Sequence, residues 1–182
     1  MTVDHSVQRP LEAAERDDAL RSLVGAAGEA IEDDIDRAVA PYQITGSGGP
    51  GVRAEVRIGR HRLLVDEGPA LGGADAAPSP MEHALAGLLS AQVVSYRFWA
   101  AQLGIPLDSI TVDVEGELDL RGFLGLDAAV RPGPGEVRVR VVLSGPASPE
   151  EYRRLRAAVD EHCPVLDLFR NATPVSTHVV TS

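Results

Sequence analysis

Apolar positions change period several times along this chain, and each change predicts a new element. Leu20, Leu23, Val24, Ala27, Ile31 and Ile35 recur at helical spacing among acidic residues. That stripe predicts an amphipathic helix from Leu11 to Ala40, closed by Pro41. The run Thr45-Gly-Ser-Gly-Gly-Pro-Gly51 then reads as a flexible linker. Beyond it, Val52, Ala54, Val56 and Ile58 alternate with Arg53, Glu55 and Arg57, the pattern of a half-buried strand. Gly59-Arg60 predicts a tight turn into a second strand, His61 to Asp66, and a Gly- and Pro-rich loop follows from Gly68 to Pro78.

The longest predicted helix runs from Pro80 to Leu103. Ser79-Pro80-Met81-Glu82 supplies an N-cap hydroxyl, a proline at the first helical position and a carboxylate three residues on. Gly104 and Pro106 stop it. Its first half is apolar on nearly every face, which predicts burial. About 24 residues make roughly 36 Å, longer than a small domain is wide. That length predicts packing against a second copy of the same helix.

A third strand is expected at Ile110, Val112 and Val114, continuing toward Leu118 and Leu120. A loop from Arg121 to Pro134 leads to a fourth strand, Val137 to Val141. Ser148-Pro149-Glu150-Glu151 repeats the capping pattern and opens a second helix, with Tyr152, Leu155 and Val159 facing the core and Cys163 at its end. A short helical turn (Val165 to Arg170) and a last strand (Val175 to Val180) finish the pattern. Hairpin strands with helices segregated between them predict an α+β domain. The expected organisation is an acidic helical extension over 1–43, a Gly-rich linker over 44–51 and one domain over 52–182. The extension is read as packed on the domain or its partner, with a partner-binding helix as the alternative.

Composition narrows the function. The chain has 182 residues, 44% apolar and 24% charged, with a formal net charge of −10, and all 17 basic residues are arginine. An acidic, aromatic-poor surface repels phosphate backbones, so nucleic acid is not an expected partner. The absence of lysine removes Walker-type loops and Schiff-base chemistry. No secretory signal is read at the N-terminus, and the most apolar segment, Ala84 to Val94, is too short to span a bilayer. One cysteine and no export signal predict the reducing cytoplasm and no membrane partner.

Cys163, the single thiol, cannot close a disulfide within the chain. It ends one predicted helix, whose dipole opposes a thiolate, and precedes Pro164, the expected start of the next, whose dipole favours one. The reading from local sequence is a buried structural cysteine. Glu82 is accounted for by the capping box. Arg53, Arg57, Arg60 and Arg62 cluster at the first hairpin, mostly as a solvated face, although one could clamp an anionic or peroxidic group. His5, His61, His83, His162 and His178 lack metal-ligand spacing, and no metal or cofactor is expected. No Gly-x-Ser-x-Gly elbow is present, and the glycine loops lack a dinucleotide context.

Several segments together resemble the OsmC/Ohr family, whose members include organic hydroperoxide reductases. They are Asp66-Glu-Gly-Pro69 with Leu71-Gly-Gly73, then Pro78-Ser-Pro-Met-Glu-His-Ala-Leu-Ala-Gly87, then Leu103-Gly-Ile-Pro-Leu107. Asp119-Leu-Arg-Gly-Phe-Leu-Gly-Leu126 and His162-Cys-Pro-Val165 follow in the family's order, so the resemblance covers about residues 50 to 182. It implies an OsmC-like fold with antiparallel sheets around long central helices, an intertwined homodimer, and an extra N-terminal helix outside the family pattern. It also implies thiol-dependent reduction of hydroperoxides by a peroxidatic cysteine and a resolving one, with a glutamate and an arginine preparing the site. Carried over, Cys163 takes the resolving position, Glu82 the helix-start carboxylate and Arg53 the arginine. The peroxidatic position falls on Ala91, which has no nucleophile.

Three readings follow. The first is an OsmC-like homodimer without the two-cysteine cycle, which binds a small apolar or peroxidic ligand at the dimer interface or does different chemistry there with Glu82 and an arginine. The second is a one-cysteine peroxidase using Cys163 and a low-molecular-weight thiol or dithiol reductant. The third is a non-catalytic interaction protein acting through the N-terminal helix.

Overall fold

The computed structural model describes residues 13–181; the predicted helix start at Leu11 and His5 lie outside the described residues. The first helix, α1, spans Ala13–Asp33. It ends short of the predicted Ala40 because Asp34 caps a new 3-10 turn, Ile35–Ala38, by accepting from the Asp36 N–H. The expected apolar stripe is only partly covered, with Leu20 and Ile31 half-buried and Leu23, Val24 and Ile35 exposed. α1 rests on the C-terminal end of the central helix, where Arg21 donates to the Ala101 carbonyl and Gln102 to that of Leu20.

The segment 44–51, predicted as a flexible linker, instead begins with a strand, β1 (Ile44–Gly48). It pairs antiparallel with β2 (Ala54–Ile58), which pairs in turn with β3 (His61–Val65). A ladder is made by backbone N–H and C=O groups, so a glycine-rich run serves once a neighbouring strand is in place. Periodicity could not reveal this, because glycines carry no apolar signal. The loop after β3 is held closely. Asp66 N–H donates to Pro78 O, and a Cβ on Gly73 would lie 1.8 Å from the Glu67 carbonyl oxygen, so only glycine fits there.

The central helix α2 spans Pro80–Leu103 as predicted, with both halves of the Ser79–Glu82 capping box formed. Gly104 ends it in the left-handed region at φ 65°, its N–H returned to the Ala100 and Ala101 carbonyls. α2 packs on β4 (Ser109–Gly116), α4 (Pro149–His162), α5 (Pro164–Arg170) and α1. β4 stops at Gly116 rather than running on to Leu120. Asp119 accepts from the Arg121 N–H and starts the short helix α3, Leu120–Phe123, inside the expected loop. β4 pairs antiparallel with β5, which extends from Val137 to Ser144, three residues beyond its predicted end at Val141.

The core is one cluster built from α2, the inner face of the β4–β5 sheet and α4–α5, with Leu88, Tyr96, Ile105, Leu155, Val159 and Cys163 fully enclosed. Residues 175–180, expected as a final strand, adopt no strand pairing, and Val175, Val179 and Val180 are exposed. A strand requires a ladder partner, and the described residues place none beside that segment. The β1–β3 sheet is likewise exposed over most of both faces. No described helix is long and apolar enough to cross a membrane.

Candidate functional site

Cys163 sits at the junction of two helices, as the C-cap of α4 and the N-cap of α5. Its N–H donates to Val159 O at 3.0 Å and its carbonyl accepts from Asp167 N at 3.0 Å, so the backbone on both sides is pinned. The thiol is 2% exposed and free. Among the described residues one polar group reaches it: the Gln92 side-chain amide donates to Sγ at 3.4 Å. Next to it, exposed His162 stacks on Trp99 with ring centroids 4.5 Å apart.

Gln92 is itself 3% exposed. It belongs to the inward line Leu88, Gln92, Tyr96, spaced by four residues along α2. The residue that meets Cys163 is therefore Gln92. Ala91, where the sequence reading placed the counterpart of Cys163, is half-buried against the core one position earlier, and successive helical residues point about 100° apart. The signal was present in the sequence, as a lone amide inside the apolar run 84–94.

Glu82 is committed elsewhere. Its Oε2 accepts from the Ser79 N–H and the Ser79 hydroxyl, each at 2.7 Å. The Ser79 backbone N–H and hydroxyl together hold the Glu82 carboxyl below its ordinary pKa, with His83 adding a smaller push the same way. Glu82 precedes Gln92 by ten positions, about 15 Å along the helix axis. In a single chain it does not converge with Cys163.

Arg53 meets neither. Its Nε donates to Asp66 Oδ2 at 3.4 Å. The same oxygen accepts from Ala74 N at 3.2 Å and Ala76 N at 3.1 Å, so Asp66 ties the 67–78 loop to the start of β2. Asp66 is 1% exposed, and its Oδ1 has no hydrogen-bond partner among the described residues. Burial pushes its pKa up, but the N–H groups of Ala76, Glu67 and Ala74 and the Arg53 guanidinium outweigh it, leaving the net shift downward. Asp66 is the organising carboxylate that the sequence reading did not single out as a site residue. Arg57, Arg60 and Arg62 stay on the exposed hairpin.

Beside Gln92 a groove of about 940 Å³ opens between α2, β5 and α4. Leu88, Gln92 and Tyr96 form its base, Val137, Val139 and Val141 its sheet wall, and α4 its rim. Cys163 lies behind this lining rather than in it. The volume lies at the upper end of the range for small-molecule sites.

The architecture is an α+β fold with antiparallel sheets packed on a long helix. A family model described as OsmC-like protein matches residues 72–178, and the chain belongs to that family. Solved structures agree on the fold. An OsmC-like protein from Mycoplasma pneumoniae superposes with a TM-score of 0.61 at 16% identity, covering 72% of this chain and 88% of its own. An organic hydroperoxide resistance protein OsmC from Legionella pneumophila matches at 22% identity and TM-score 0.57, covering 72% and 90%. One from Elizabethkingia anophelis matches at 20% identity and TM-score 0.57, covering 72% and 89%. No curated protein sequence matches the chain.

Proposed function

We propose that this chain works as an OsmC-like homodimer that binds a small apolar or peroxidic ligand in the groove beside Gln92 and does not run a two-cysteine peroxidase cycle. The observation that carries this reading is the Gln92–Cys163 contact. In a two-thiol cycle one thiolate attacks the peroxide O–O bond, releases an alcohol and becomes a sulfenic acid. A second thiol then displaces water to form a disulfide, which an external dithiol reduces. Here an amide stands where a thiol facing Cys163 would have to be. An amide neither attacks an O–O bond nor enters a disulfide. The burial of Cys163 also argues against a one-cysteine cycle, which needs peroxide and an external thiol to reach its sulfur in turn.

A second copy is supported by apolar surface that one chain leaves open. Val94 on α2 is 66% exposed, Ile44, Leu63 and Leu64 are exposed on the β1–β3 sheet, and Val175 and Val179 on the unpaired C-terminal segment. Glu82 lies about 15 Å from Gln92 along one helix, so a Glu82 beside a Cys163 site would have to come from the second copy. A buried lone thiol is compatible with the reducing cytoplasm.

The test is turnover of cumene hydroperoxide with dithiothreitol or dihydrolipoamide by the wild type and by Cys163→Ser, with the mass measured by light scattering. No turnover above background in either protein, and a mass twice the chain's 19.2 kDa, are expected. Wild-type turnover that the serine variant loses would overturn the reading, and a monomeric mass would remove the dimer.

A further inference from the structure

The walls of the groove beside Gln92 differ in character. On the sheet side, Val137, Val139 and Val141 turn inward and are half-buried, while Arg138 and Arg140 point outward and pair with Glu115 and Asp113. On the helix side, α4 contributes Arg153, Arg156 and Asp160, and α5 contributes Arg170. Asp160 serves both neighbours, with Arg156 Nε at 3.4 Å and Arg170 Nη2 at 3.4 Å. Two guanidinium groups thus share one carboxylate. Arg131 also lines the groove and makes no ion pair among the described residues. In total the lining holds four arginines against two carboxylates, Glu136 and Asp160. A chain with 27 acidic and 17 basic residues would place net negative charge on an average patch of surface. The groove reverses that balance.

We propose that the groove takes an amphipathic carboxylate, its acyl body along the inward valines of β5 and its head group on Arg156 and Arg170. The guanidinium fork matches a carboxylate in geometry and keeps its charge at every physiological pH. Tyr96 stands at the base of the same groove, within electrostatic reach of Asp160 and Arg156. This inference rests on the groove being the ligand site proposed above and adds the chemical class of its occupant.

The test compares decanoate with decanol as competitors of Nile red bound to the full chain at pH 7.5. Decanoate should bind about tenfold more tightly, the scale expected of charge-assisted hydrogen bonds. Arg156→Gln/Arg170→Gln should abolish that preference by weakening decanoate about tenfold, with decanol affected far less, because an uncharged head group makes no charge-assisted bond to either guanidinium. Asp160→Asn should tighten decanoate by several-fold, since it removes the negative charge that both guanidinium groups share. Equal affinities in the wild type, or a preference that survives the double variant, would overturn the carboxylate assignment and leave the apolar ligand site standing. Failure of Nile red, decanol and decanoate alike to bind would overturn both.

Discussion

Replacing Gln92 by cysteine tests most directly which residue of α2 faces Cys163. The two positions are 71 residues apart in sequence and their side chains already touch. Closing a loop of that length removes chain entropy worth about 4 kcal/mol from the unfolded state at the entropic limit. For a domain of this size that corresponds to a rise in Tm on the order of 10 °C. The variant also loses a buried amide and some packed volume. Comparing its oxidised and reduced forms cancels that cost, because both lack the glutamine. The assay is thiol titration with Ellman's reagent in denaturant, which exposes the buried Cys163, after mild oxidation of the folded protein, together with thermal unfolding with and without reductant. Gln92→Cys should lose both titratable thiols and gain stability on oxidation. Ala91→Cys, turned about 100° around the helix, should keep its two thiols and show no redox-dependent Tm. A bridge that closes in Ala91→Cys and not in Gln92→Cys would refute the assignment of the facing position.

Four further outcomes are expected. Ser79→Ala and Ser148→Ala should each cost about 1 kcal/mol by denaturant unfolding, since each hydroxyl caps a helix and anchors a reciprocal carboxylate. Those hydroxyls and backbone N–H groups depress the Glu82 and Glu151 pKa values in the folded state, so the associated stability is fully present above the ordinary carboxylate range. It is lost as pH falls through the lower folded values, and Glu82→Gln/Glu151→Gln should flatten the acid limb of the stability curve. Gly73→Ala places a methyl group against the Glu67 carbonyl and should destabilise by roughly 2–4 kcal/mol, read as a lower denaturation midpoint with proteolysis starting in the 67–78 loop. Leu155→Ala empties a fully enclosed core position and should cost about 2–5 kcal/mol.

Much of the fold was legible locally. The limits of α2 follow from a capping box at one end and Gly104 at the other, both signals contained within a few residues. The β2–β3 hairpin follows from alternation and a two-residue turn, and α4 from the second capping box. β1 was not legible, because a Gly-rich run has no period and becomes a strand only when β2 offers it a ladder. Residues 175–180 erred the other way. Their alternation has the right period, but the described residues supply no edge that pairs with them.

The candidate site divides along the same line. The sequence by itself determined that there is one thiol, that it ends a helix, that no lysine chemistry is available and that Glu82 caps α2. All of these depend on residue identity and near neighbours. Only the tertiary structure decided what faces what. It put Gln92 rather than Ala91 against Cys163, turned Arg53 toward Asp66, and left Glu82 about 15 Å from Gln92 along the helix. It also gathered arginines from α4, α5 and the loop before β5 around one groove. A rotation of 100° per residue makes a helix face depend on how α4 docks across α2, and that docking is set by contacts far apart in the chain.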